Sequence, residues 1–327
     1  MHPTPPAEAP APTPLVLARE LSRIVYDDPA ARRAAARGEL VRIRRGIYAD
    51  ALEWEALSPD EKYLAVCRGF ALSRSPQPVL SHESAAAIWG LPRLGPPPHA
   101  VHVSTDSLTS SRSLAGVRSH LEPLAAEDVT VRDGVWVTSL ARTVVDLAAT
   151  AEVVNGMAGL DHVLYVDRLR GPRTGLVRDD LLTVLEGLGP LRGRVRARSR
   201  IEFAATGAST IAETGSRVTM AQIGTPPPSL QHPFAGEHGH YETDFFFADE
   251  DAVGEVDGKI KYLDPRYRGG RSTEQVVYDE KVREDDLRRL VRTFGRWPMS
   301  VGLNRDRLRV RMLELGVPVG LRGPRIQ

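Results

Sequence analysis

Two neighbouring segments constrain this chain more than any others: Tyr241-Glu242-Thr243-Asp244-Phe245-Phe246-Phe247, then Val253-Gly254-Glu255-Val256-Asp257-Gly258-Lys259. Apolar runs of this length read as strands, and Asp249-Glu250-Asp251 between them reads as a turn joining them into a hairpin. Side chains alternate faces along a strand, so Glu255 and Asp257 project the same way while Val256 enters the opposite layer. Pairing of the two strands then sets Asp244 beside them. Two carboxylates about 6.5 Å apart repel by roughly 2–3 kcal/mol at an effective dielectric near 20, and unpaired charges are rare inside sheets. A cation removes that repulsion. Oxygen-only ligands favour magnesium or manganese over zinc, and such an ion activates water and neutralises charge on a phosphodiester. Lys259 or Lys261 is placed to steady the attacking water or the phosphate.

The surrounding rhythm predicts a helix over 197–222, strands over 229–234, 240–247 and 252–257, a helix over 274–291 and a strand over 298–302. This α-β-β-β-α-β order gives a mixed sheet with helices packed on it, an α/β (α+β) class. With an early helical Glu, an Asp on one strand and Glu-x-Asp-Gly on the next, the segment resembles the PD-(D/E)XK restriction-endonuclease-like fold, in its Vsr-like (very-short-patch-repair) branch. The resemblance implies that Glu213, Asp244, Glu255, Asp257 and Lys259 are catalytic and that Asp244, Glu255 and Asp257 hold Mg or Mn. Glu202 offers a context similar to that of Glu213, and Asp257 stands where the commonest version of the fold has lysine. Glu280-Lys281-Val282-Arg283-Glu284-Asp285 is similar to that branch's second helix.

Residues 15–49 predict a small helical unit ending in a hairpin. Leu15, Ala18, Leu21 and Val25 recur at helical spacing, and Ala30 to Arg37 is rich in alanine and arginine until Gly38 stops it. Leu40-Val41-Arg42-Ile43-Arg44 then alternates as a half-buried strand does, and Arg45-Gly46 turns the chain into Ile47-Tyr48. Helices followed by a basic wing suggest a winged helix, with Arg32, Arg33, Arg37, Arg42, Arg44 and Arg45 as DNA-phosphate contacts. Gly38 to Tyr48 resembles the winged helix of the AbiEi family of antitoxins from type IV toxin–antitoxin systems, which binds its own operon's promoter. Ser81 to Ala86, Trp89 to Pro92 and Val137 to Leu147 are also similar to AbiEi-like proteins carrying a nuclease-like C-terminus. That resemblance implies DNA as partner and a cognate nucleotidyltransferase toxin.

Other features bound the picture. Lys plus Arg (43) nearly cancels Asp plus Glu (42), so nucleic-acid contact must come from local patches. The single cysteine, Cys67, lies in an apolar run and reads as a buried structural thiol in a reduced, cytoplasmic protein. The chain predicts a proline-rich tail over 1–14 with no signal-peptide pattern, a winged helix over 15–52, a middle domain over 53–190, the nuclease-like domain over 195–305 and a tail over 306–327. The middle domain predicts helices near 58–74, 81–90, 139–150 and 176–187, with Ser81 and Ser139 as N-caps and Arg142–Asp146 as a helical pair. His238 and His240 read as a hairpin tip rather than zinc ligands. Arg192, Arg196 and Arg200 form one helical stripe, either a guide for a nucleic-acid backbone or a solvated face. Three functions remain open: a magnesium-dependent DNA endonuclease, a repressor with an inactive nuclease-type domain, and an RNA-directed nuclease.

Overall fold

Strand-forming and helix-forming runs alternate along the chain, and the fold is mixed α/β, with four sheets and flanking helices among the described residues. The computed structural model describes residues 16–17, 29–44, 46–106, 115–257, 273–321 and 326. Two units emerge, residues 1–91, 95–147 and 186–189 in the first and residues 92–94, 148–185 and 190–327 in the second.

In the first unit, β1 (Val16–Leu17), α1 (Pro29–Ala36), β2 (Leu40–Arg44) and β3 (Ile47–Asp50) form a helix packed on a three-stranded sheet of order β1-β3-β2. Gly38 has φ +78°, the left-handed conformation that ends α1 and turns the chain into β2. The helix expected over Leu15 to Val25 is not what Val16 and Leu17 form: they pair antiparallel with Tyr48 and Ile47, because edge pairing satisfies backbone groups that β3 otherwise exposes. Leu15, Ala18, Leu21 and Val25 lie outside the described residues.

Next come α2 (Ala51–Ala56), capped by the Asp50 carboxylate, and α3 (Pro59–Leu72), whose start combines a Ser58–Glu61 capping box with proline in its first turn. Then follow β4 (Val79–Leu80), α4 (His82–Trp89), β5 (Val101–Thr105), β6 (Val117–Leu121), β7 (Val129–Arg132) and β8 (Val135–Thr138), in a mixed sheet of order β6-β5-β4-β8-β7. Tyr63, Cys67 and Phe70 of α3 pack on Leu80, Val101, Val103, Val135 and Val137, so Cys67 is a buried thiol, as expected.

The boundary between units falls within α5 (Leu140–Thr150), well before the linker expected near 188–194. Residues 148–185 belong with the C-terminal sheet because α6 (Val153–Leu164) carries Asp161, a buried carboxylate bound at 2.8–2.9 Å by the Arg217 guanidinium and at 2.8 Å by the Thr214 hydroxyl. The short β9 (Val166–Asp167) and β10 (Gly171–Pro172) lead to α7 (Arg178–Gly187).

The single helix expected over 197–222 is two, α8 (Arg194–Phe203) and α9 (Ile211–Ile223). Thr210 caps the second by accepting from the Glu213 N–H, and a Cβ at Gly207 would meet Leu230 at 2.8 Å, so the break is built in. β11 (Ser229–Ala235), β12 (His240–Phe247), β13 (Ala252–Asp257), α10 (Thr273–Leu290) and β14 (Thr293–Pro298) follow. Strands β11, β12 and β13 form an antiparallel meander, and after the α10 crossover β14 returns parallel to β13.

The final strand thus occupies 293–298 rather than 298–302, because Phe294 and Trp297 place their rings in the core on opposite faces, while 299–302 begins α11 (Met299–Gly302). Residues 305–317 are not a tail. In α12 (Arg305–Glu314) Leu308 and Met312, with Leu315 and Val317 after it, pack into the same core at helical spacing.

Trp297 fills the centre of that core. Its ring stacks on Phe245 at 5.8 Å between centroids, and its indole N–H donates to Ser216 Oγ at 3.1 Å. Gly254 on the neighbouring strand lies directly under it, where an added Cβ would collide with indole carbons Cη2 and Cζ3. Gly254→Ala is therefore expected to destabilise the protein by about 2–3 kcal/mol, read as a lowered urea midpoint. A variant as stable as the parent would contradict this packing.

Candidate nucleic-acid interface and acidic cluster

Register decides which acids meet. Phe245 pairs with Gly254 and Phe246 with Val253, and side-chain parity then puts Asp244, Glu255 and Asp257 on the sheet face that carries Val253 and Phe246. Leu287 and Val291 from the end of α10 pack on that face.

The three acids share this face but not one function. The antiparallel ladder between β12 and β13 ends at Phe245–Gly254, and Asp244 Oδ2 accepts the Val256 N–H at 2.8 Å just beyond it. Asp244 thus takes over a backbone hydrogen bond where the ladder between β12 and β13 stops, while β13 stays paired with β14. Glu255 is buried and held by two guanidiniums. Arg296, its register partner on β14, donates through Nε (3.1 Å) and Nη2 (2.9 Å), and Arg283 of α10 donates through Nη1 (3.0 Å) and Nη2.

Glu280 also pairs with both arginines, and Glu284 lies 3.4 Å from Arg296. Burial disfavours the charge on Arg296, but Glu255 and Glu280 outweigh it and raise its pKa; the same balance, led by Glu255, raises that of Arg283. Asp257, at the strand end, is exposed.

Glu213 serves its own helix. It accepts from the Ser209 N–H (2.8 Å), the Ser209 and Thr210 hydroxyls and Gln231, while Glu202 is exposed. Lys259 and Lys261 lie outside the described residues. Among the described residues, Asp244, Glu255 and Asp257 are not among the groups that bring three possible ligand atoms within 4.8 Å of one another. A carboxylate already neutralised by two guanidiniums is an ion-pair centre, and this arrangement does not fit a magnesium or manganese ion.

The basic residues also divide. Arg32 and Arg33 of α1, Arg37 just after it and Arg42 on β2 are exposed. Arg37 pairs with Glu39 at 2.7 Å in a fully solvated ion pair, weak enough to exchange for a phosphate. Arg44 instead turns inward: it donates to the Ala115 and Gly116 carbonyls at 3.0 and 3.1 Å and lies over the Phe70 ring, so it is a structural residue. Arg45 lies outside the described residues. The stripe read as either a guide for nucleic acid or a solvated face is partly a cap. Buried Arg200 donates to the Ala148 and Ala151 carbonyls (3.1 and 2.8 Å) and Arg196 to that of Ala149 (3.2 Å), where the end of α5 leaves acceptors unpaired.

No protein-family model, curated protein or solved structure matches this chain.

His238 and His240 sit at the β11–β12 hairpin tip, closed by Gly236 N–H donating to the Gly239 carbonyl. One cluster escaped the sequence. His82, His102, His120, Glu83 and Glu122 converge beside α4, and their only signal was His120-Leu121-Glu122, whose alternate residues share one face of a strand. Ser81, expected to cap α4, makes no side-chain cap bond; its hydroxyl lies 3.1 Å from His82 Nδ1. Arg142 and Asp146 do pair, at 2.8 Å, but both are buried and Arg142 also reaches Glu122 and Asp128 at 3.0 Å.

The arginine clamp sets the sign of a test. Glu255→Gln leaves two guanidiniums without their carboxylate and is expected to lower stability by about 2–3 kcal/mol, short of a fully buried pair because both arginines reach solvent. Excess magnesium is expected to leave the parent's melting temperature where EDTA leaves it. A Gln variant more stable than the parent in EDTA, together with a magnesium-dependent rise in the parent, would instead mean a cation site.

Proposed function

We propose that this protein is a DNA-binding regulator of the AbiEi-like antitoxin type, acting in the cytoplasm, with a nuclease-type domain that is catalytically silent in the arrangement described here. The observation that carries the binding is the set of exposed guanidiniums, Arg32, Arg33, Arg37 and Arg42, on a short helix and the hairpin that follows it. Arginines on a helix and an adjacent wing meet phosphates on both sides of a groove and fix register on the duplex. The resemblance to AbiEi-like antitoxins adds a promoter as target and a nucleotidyltransferase toxin as partner.

The α-β-β-β-α-β order and the Glu255-x-Asp257-Gly258 segment support the nuclease-type origin of the C-terminal sheet. The clamp on Glu255 supports its silence. A second reading, a magnesium- or manganese-dependent endonuclease, is favoured by one observation: Asp244, Glu255 and Asp257 share a sheet face. An RNA substrate is the same test with another probe.

Fluorescence anisotropy with a labelled duplex is expected to show binding whose logarithm falls linearly with the logarithm of salt. Arg33→Ala/Arg42→Ala is expected to weaken binding on every sequence and reduce the salt slope by about 2, near one per lost phosphate contact. Arg44→Ala is expected to act on stability instead. Unchanged affinity and slope in the double variant would place the contact elsewhere. Cleavage of the duplex in magnesium that disappears in Asp244→Ala would establish the endonuclease.

A further inference from the structure

His82 stands at the first position of α4 with φ +49°, a left-handed conformation costly for a residue other than glycine. Its ring is fully buried, and Nε2 has no hydrogen-bond partner. An orphaned buried nitrogen on a strained backbone calls for a ligand.

The surroundings are those of a metal-binding histidine. Ser81 Oγ lies 3.1 Å from His82 Nδ1, and a ring proton on Nδ1 donated to that hydroxyl would leave the Nε2 lone pair free to ligate. Glu122 Oε1 lies 3.8 Å from Nε2, while Glu122 Oε2 is held by Arg142 at 3.0 Å, so one carboxylate oxygen is anchored and the other faces the histidine. The His120 ring stacks on His82 at 3.5 Å between centroids, and its Nε2 lies 3.1 Å from His102 Nδ1, leaving its own Nδ1 open. His102 is steadied in turn by Glu83 at 2.8 Å.

Burial, then the neighbouring histidines, push His82 well below the usual histidine range. Burial pushes His120 down to about 4.

We propose that His82, His120 and Glu122 form a binding site for a zinc-type divalent cation, with His82 Nε2, His120 Nδ1 and Glu122 Oε1 as ligands. Each of the three residues offers a ligand atom within 4.8 Å of one from each of the others, and His82 Nε2 lies 3.8 Å from Glu122 Oε1. A tetrahedral ion bound at about 2.0–2.2 Å holds its donors roughly 3.3–3.5 Å apart, so closing onto the ion requires the stacked rings to rotate and the His82–Glu122 gap to shrink by a few tenths of an ångström. Two imidazoles and one carboxylate are a zinc donor set that leaves a fourth position for water. Glu237, His238 and Asp286 also come within the same distance, but the Asp286 carboxylate already accepts from the His238 backbone and ring and from the Tyr241 hydroxyl.

The test is a titration of the EDTA-stripped full-length chain with cobalt(II) at neutral pH, followed through its visible d–d bands, with zinc as competitor. One equivalent is expected to bind in a tetrahedral-type environment and to be displaced by zinc. His120→Gln is expected to weaken binding at least tenfold, a loss of the order that removing even an outer-shell partner brings, with an unchanged far-UV spectrum. Glu122→Gln keeps a hydrogen-bond acceptor for Arg142 and is expected to weaken it too. His238→Gln is expected to bind like the parent. Absence of binding by the parent, parent-like binding in a folded His120→Gln, or loss of binding in His238→Gln would each overturn the site.

Discussion

The C-terminal unit depends on one buried carboxylate being answered by two guanidiniums. Glu255 sits on a strand whose neighbours are core residues, and a carboxylate there is tolerable only with partners. Arg296 comes from the parallel strand beside it, and Arg283 from the helix that crosses between those strands. One ionic centre therefore ties β13, β14 and α10 together and fixes their register. Asp244 completes the junction by taking the Val256 N–H where the antiparallel ladder ends. On the other face Trp297 fills the space left by Gly254, so the same strand pair is locked polar on one side and apolar on the other.

This explains why acids that look like a metal cage in the sequence take separate partners in the fold. Strand parity was enough to put Asp244, Glu255 and Asp257 on one face, but parity says nothing about what the facing helix and the neighbouring strand supply. Arg283 is 28 residues and Arg296 41 residues from Glu255, and no local pattern links them. The three strands around the cluster were legible because aromatic and aliphatic residues recur in each between turn signals. The last strand was not, because Phe294 and Trp297 point to opposite faces and Pro298 starts the next helix, so apolar density misplaced it by five residues. The break between α8 and α9 is marked by Thr210, whose hydroxyl accepts the Glu213 N–H and starts α9 afresh.

In the first unit the helix–hairpin element was legible from Gly38 and the alternation of β2, yet its arginines looked alike in sequence. Arg44 differs because Phe70 and two loop carbonyls lie within its reach, contacts made by residues far along the chain. The histidine cluster was hidden for the same reason, since His82, His102 and His120 come from a helix start and two parallel strands.

Glu255 is held in place by its arginines, and a double-mutant cycle on Glu255→Gln and Arg296→Gln measures that coupling directly. Chemical denaturation of the parent, both single variants and the double variant in EDTA is expected to give a favourable coupling of about 1–2 kcal/mol, because each single change strands a partner that the double change removes. A coupling near zero, with each variant as stable as the parent, would contradict the account.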